Sequence, residues 1–192
     1  PHLAGYRHSA PDVPKIVVQY IRNLSLPRRL VAAVDHAGRY IPLNNFSYIA
    51  GPQPGYDLFY LAALLCSTPL NGLFAARYRD YNIKPAYLRL LPVRRIAFTT
   101  PAELRARLVR EAESLPAGDL ARFVDEQLAA APERADVVHD LLASLARRAA
   151  QAWAEAGEAG EAAARATDEL IDAVVCRLYG LDAQDAAALA GV

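Results

Sequence analysis

The sequence predicts an α+β fold: a small, twisted antiparallel sheet with helices in residues 1–100, followed by a helical C-terminal segment over 101–192 that contains a long antiparallel helix pair. Three observations carry this. Short β-branched runs separated by turn residues occupy the start of the chain, apolar residues at helical spacing take over after Asp57, and the composition turns to Ala, Leu, Glu and Arg beyond residue 100. The 192 residues suffice to bury a core, and 54% hydrophobic against 22% charged residues excludes a disordered chain.

Lys15–Tyr20 is a β-branched run after Pro14 and predicts the first strand; Arg29–Val34 predicts the second, ended by the turn-like Asp35-His36-Ala37-Gly38. Phe46–Ala50 is the third, and Gly51-Pro52-Gln53-Pro54-Gly55 reads as a loop. From Asp57, the positions Leu58, Leu61, Leu64 and Leu65 predict a helix that stops near Ser67-Thr68-Pro69, with a second one over Leu70–Tyr78. Asn82–Val93 is ambiguous between Pro85 and Pro92. In Thr100-Pro101-Ala102-Glu103 a capping Thr, a first-turn Pro and a Glu open a helix. Asp119–Ala130 predicts the next, and Pro132 opens a long one running to Ala156. Gly157 and Gly160 break it, Glu161–Tyr179 follows with Gly180 as its C-terminal cap, and Asp182 caps a last short helix.

Several chemistries lack their motifs. No phosphate-binding Gly-rich loop and no His-Glu-x-x-His is present, and His2, His8, His36 and His139 stand singly, without metal-ligand spacing, which predicts structural roles. Cys66 and Cys176 are too far apart for a C-x-x-C pair and read as small core residues; a reducing compartment follows. Asp35 and Asp57 sit at turn positions that predict backbone hydrogen bonding before acid–base work. With no apolar run long enough to span a bilayer and no signal-peptide layout, the reading is of a cytoplasmic protein with no membrane partner. The chain begins at Pro1 and has no Met, which predicts a piece of something longer.

The net charge of zero conceals a split. Residues 1–100 hold twelve Lys and Arg against four acids, a balance of +8; residues 101–192 hold nine against seventeen, a balance of −8. Nine of ten tyrosines fall in the first part as well. A basic, aromatic region suits a polyanion. Its candidate DNA-binding residues are Arg22, Arg28 and Arg29 around the first strand connection, Arg39, Asn44 and Asn45 around the next, and Arg77, Arg79, Asn82 and Lys84 interleaved with Tyr78, Tyr81 and Tyr87. Arg and Asn bond bidentately to guanine and adenine edges, and Arg and Lys neutralise phosphates. The bland alternative is a solvated face whose arginines pair with the acidic helices.

Five stretches carry a family resemblance: Lys15-Ile16-Val17-Val18, the Asp35–Tyr40 turn, the Tyr60–Ser67 helix, Leu91-Pro92, and Thr167–Leu181 with its closing Leu178-Tyr179-Gly180-Leu181. In order and spacing they resemble the TaqI-like C-terminal specificity domain of adenine-specific DNA methyltransferases and type IIG restriction-modification enzymes, over most of residues 14–184. Cys66 stands where the family often has Asn, Cys176 where it often has Tyr, and Val93 where a second Ile-Pro is usual. The resemblance implies a target-recognition module that selects duplex DNA and has no enzymatic activity by itself. Its partner would be the catalytic methyltransferase domain of the parent chain, which would hold S-adenosylmethionine; the Asn-Pro-Pro-Tyr motif for the flipped adenine is absent here, and no cofactor is expected in this piece. A different class, a protein-interaction or assembly module that docks through its helical surface, is the alternative.

Overall fold

The computed structural model describes residues 13–26, 28–41, 44–50, 55–155 and 157–191. The loop predicted over 51–54, the long helix's end at Ala156, and His2 and His8 lie outside them. Three strands, β1 (Lys15–Gln19), β2 (Ala32–Asp35) and β3 (Phe46–Ala50), form an antiparallel sheet in the order β2-β1-β3. Ile16 faces Val34 on one side and Ile49 on the other, and Val18 faces Ala32 and Ser47. Strand alternation therefore puts Ile16, Val18 and their neighbours on one face, where Ile16 and Val18 are fully buried. Asp35 closes the edge: it pairs with buried Lys15 at 3.0 Å and accepts from the Arg39 and Tyr40 amides, the turn role expected of it.

Two short helices follow, α1 (Leu58–Cys66) and α2 (Thr68–Arg77), bent by 60° at Ser67. Ser67 ends one and starts the other, its hydroxyl donating to Leu64 O and accepting from the Leu70 amide. Asp57 caps α1 through the Phe59 amide, again the backbone role expected. Tyr60–Leu65 are all buried, so α1 is apolar around its circumference, as a helix packed on two sides must be. After the single turn α3 (Pro85–Leu88) come α4 (Ala102–Glu113), α5 (Ala117–Leu128), α6 (Ala135–Ala154), α7 (Glu158–Leu178) and α8 (Ala183–Ala190).

The helices α6 and α7 form the long hairpin, and α6 lies against α1. Its Leu141 and Leu142 are fully buried, each contributing about 2 kcal/mol by burial. One apolar cluster runs from Ile16 and Val18 through Tyr60 and Leu64 to Val137, Leu141, Val174 and Leu178. The change of composition near residue 100 therefore does not coincide with a break in the packing.

Three local expectations need correction. Thr100 does not cap α4: its amide and hydroxyl both go to the fully buried Asp136 carboxylate, each at 2.7 Å. The long helix opens at Ala135 and not at Pro132, because the Arg134 amide turns back to Gln127 O. Gly160 is not part of the break after the long helix but lies inside α7, which already starts at Glu158; an added Cβ there would come within 2.8 Å of Ala152 O at the end of α6. Gly180 ends α7 as expected, with Leu181 N bonding Cys176 O and Gly180 N bonding Arg177 O, the paired bonds of a Schellman motif. Asp182 caps α8 in a capping box with Asp185. No single helix among the described residues is long and apolar enough to cross a membrane; α1 and α2 pass that test only as a bent pair, and most of their residues are buried in the core.

Candidate nucleic-acid interface

Main-chain pairing beyond the strands brings the two basic sequence clusters together. Past the end of β1, Ile21 bridges Asn82, Arg22 N donates to Tyr81 O at 3.0 Å, and Ile83 N donates to Tyr20 O at 2.6 Å. Tyr20 N donates to Asn45 O at 2.8 Å. One end of the sheet thus collects Arg22, Arg28, Arg29, Asn44, Asn45, Asn82 and the segment from Arg77 to Lys84. Arg39 lies at the other end, beside Asp35, about 14 Å away along a five-residue strand.

Within this cluster the side chains do different things. Arg22 spans the β1–β2 connection, donating from Nε to Arg28 O at 2.7 Å and from a terminal nitrogen to Gln19. Asn23 shapes the same connection by accepting from the Ser25 amide. Arg28 reaches Asp168 on α7 at 3.2 Å. Arg29 is withdrawn from the surface: it is 4% exposed, donates to the main-chain oxygens of Tyr78 and Asp80, and lies 5.8 Å over the Phe74 ring. The expectation that Arg29 lies on an open face is therefore corrected: it is a buried residue. Burial pulls its guanidinium below the ordinary arginine range, with Asp80 opposing and Arg22 adding to the fall.

Arg77 and Arg79 are exposed, and neither has an ion-pair partner among the described residues. Arg77 occupies the last turn of α2, where the carbonyl end of the helix favours a cation. Lys84 sits at 2.6 Å from Asp80, whose carboxyl the lysine and the Asn82 amide hold below its usual range. Asn82 is half-buried and tied through its backbone. Of the interleaved aromatics, Tyr78 stacks on Tyr87 at 4.2 Å, and Tyr81 alone among these three stands open to solvent. Arg39, Asn44 and Asn45 are exposed.

The sequence reading missed Arg89 and Arg95, which are exposed and lack ion-pair partners among the described residues. The signal was available in the +8 balance of the first part, since both add to it.

His139 is buried, its Nε2 accepting from the Asp57 amide and its Nδ1 facing Asp140 at 2.7 Å, a structural placement that ties α6 to the start of α1. Burial pushes the Cys66 and Cys176 thiols up, which disfavours the nucleophilic thiolate; both are half-buried rather than core residues. Among the described residues no three His, Cys, Asp or Glu side chains are grouped to hold a metal ion. The arrangement can present positive charge to a polyanion, on a surface stiffened by the sheet end and α2. Compared with known proteins, the chain matches no family model, no curated protein and no solved structure.

Proposed function

We propose that the chain is a duplex-DNA recognition module. The observation that carries the reading is the convergence of the 20–22 and 81–83 segments, which gathers arginines about fifty positions apart in sequence onto one end of the sheet. Its charge is not consumed by the acidic helices. Of the first part's cations, Arg28 and Arg94 reach carboxylates in the second part, whereas Arg77, Arg79, Arg89 and Arg95 reach none among the described residues. The motifs of residues 14–184 that resemble the TaqI-like specificity domain support the finer reading, in which the module selects sites for an adenine-specific methyltransferase or a type IIG restriction-modification enzyme. On that reading S-adenosylmethionine and the methyl transfer belong to a catalytic partner domain.

Fluorescence anisotropy with a mixed-sequence duplex tests the proposal. Six or more phosphate contacts predict a loss of affinity of about a thousandfold between 50 and 200 mM salt. Charge reversal in Arg77→Glu with Arg79→Glu is expected to weaken binding at least about tenfold at the lower salt. Salt-indifferent binding, or equal affinity for the double variant, would sink it and favour docking through an apolar helical face.

A further inference from the structure

We infer that the cleft between the β1–β2 connection, α2 and the end of α8 is a binding site for a phosphate group. Its volume is about 440 Å³, and Arg28, Arg29 and Arg79 all line it. That is room for a phosphate and the sugar or base attached to it.

The reason lies in the charge balance of its wall. Arg29 is a buried cation whose hydrogen bonds, among the described residues, go only to neutral carbonyls, and its Nε has no partner among them. A buried charge is costly unless an opposite charge meets it. Asp80, the acid acting on it, is engaged by Lys84. Arg79 has no ion-pair partner among the described residues, and Arg28 shares Asp168. Three arginines therefore line one cavity, and among the described residues a single carboxylate, that of Asp168, is bonded directly to any of them. Thr68, also on the wall, is taken by Asp172, which accepts from its amide at 2.7 Å and from its hydroxyl. Asn71 is likewise spent, accepting from Leu30 N and donating to Leu65 O and Ser67 O. The unmet demand is for negative charge with several acceptor oxygens, which phosphate supplies and the forked geometry of arginine matches. Leu24, Leu26, Ala75 and Leu189 give apolar walls for what the phosphate carries.

Such a group has two sources, a polynucleotide backbone or a free phosphorylated compound. The first rests on the DNA-recognition reading; the site itself does not.

The test is NMR of the arginine Nε–H groups in the full ¹⁵N-labelled chain, titrated with inorganic phosphate, with potassium chloride at matched ionic strength, and then with a mixed-sequence duplex. Saturable shifts of the Arg29 and Arg79 signals with phosphate but not chloride are expected. Arg79→Ala, at an exposed position, should weaken phosphate binding at least about tenfold, and Arg107→Ala, on α4 and not lining the cleft, should leave it unchanged. Shifts that never saturate, or that chloride reproduces, overturn the site even if the duplex binds. Displacement of phosphate by the duplex supports the backbone source, and a duplex that binds without moving these signals supports the free compound. Saturation by phosphate with no duplex binding at all supports the site and removes the DNA reading.

Discussion

Arg29 and Arg105 are both drawn in from solvent and both lie over a phenylalanine ring, at 5.8 and 5.6 Å, yet they meet opposite company. Arg105, on α4, hydrogen-bonds Asp140 and stands 3.8 Å from Asp136, whereas Arg29 finds carbonyl oxygens only. The acidic half matches its buried charge with opposite charge and uses it to fasten helices together. In the sheet half, beyond the Lys15–Asp35 and Lys84–Asp80 pairs, positive charge is left over at the surface and in the cleft. A fold needs the first arrangement for its own stability, and the second gains its value when something anionic arrives.

The contrast can be broken in order of effect. Asp136→Ala leaves the Thr100 amide and hydroxyl buried without an acceptor and should cost about 3 kcal/mol, read from the urea midpoint. Arg105→Met takes the arginine from Asp140, which keeps only its His139 contact, and should cost about 2 kcal/mol, while Arg29→Met, which frees two carbonyls but removes an uncompensated charge, should cost about 1 kcal/mol. If Arg29→Met proves the more destabilising of the two, the contrast is wrong. Gly72→Ala should be milder still: an added Cβ would sit 2.0 Å from Leu189 O, so α8, which buries none of its residues, must lift off α2. Amide exchange over Ala183–Ala190 should accelerate while global stability moves by less than about 1 kcal/mol.

The smallest effects concern pH and carry opposite signs. Burial would raise Asp35 and Asp140, but the Tyr40 amide and Lys15 for the first, and His139 and Arg105 for the second, outweigh it and hold both below the usual carboxylate range. Each adds stability that is complete above an ordinary carboxyl pKa of about 4 and is lost as pH falls through the lower folded value. Asp168 is shifted up because burial, aided by Asp172, exceeds the pull of Arg28. Its contribution is present in acid and disappears as pH rises through the folded value. Urea midpoints across pH 2–7 should therefore show a shallower acid loss for Asp35→Asn, and no loss at neutral pH for Asp168→Asn; a marked loss for the latter would reverse the assignment.

Much of the architecture could be read beforehand because it rests on local signals. The β-branched run at Lys15, the aromatic-rich strand at Phe46, the leucine spacing after Asp57 and the Asp182 cap each appear where short-range physics places them. Thr100 misled because its hydroxyl had two partners open to it, the first turn of α4 and a carboxylate 36 positions onward, and the buried one holds it. The candidate interface was legible as a set of residue types but not as a surface. Nothing local to Tyr20 or Asn82 signals that they lie side by side, and nothing local to Arg29 shows that Phe74 and two carbonyls enclose it. Those facts belong to tertiary pairing, which composition does not encode.

The packing of α1 against α6 has a consequence for synthesis. Tyr60 and Leu64 are covered by residues that leave the ribosome some eighty positions later, such as His139, whose ring lies 4.4 Å from Tyr60. Until then the basic half carries an uncovered apolar helix, and Thr68 must wait longer still for Asp172. The half that presents the arginines is therefore completed only when α6 and α7 have been made, so that positive charge and chaperone-prone surface are exposed together on the nascent chain until those helices emerge.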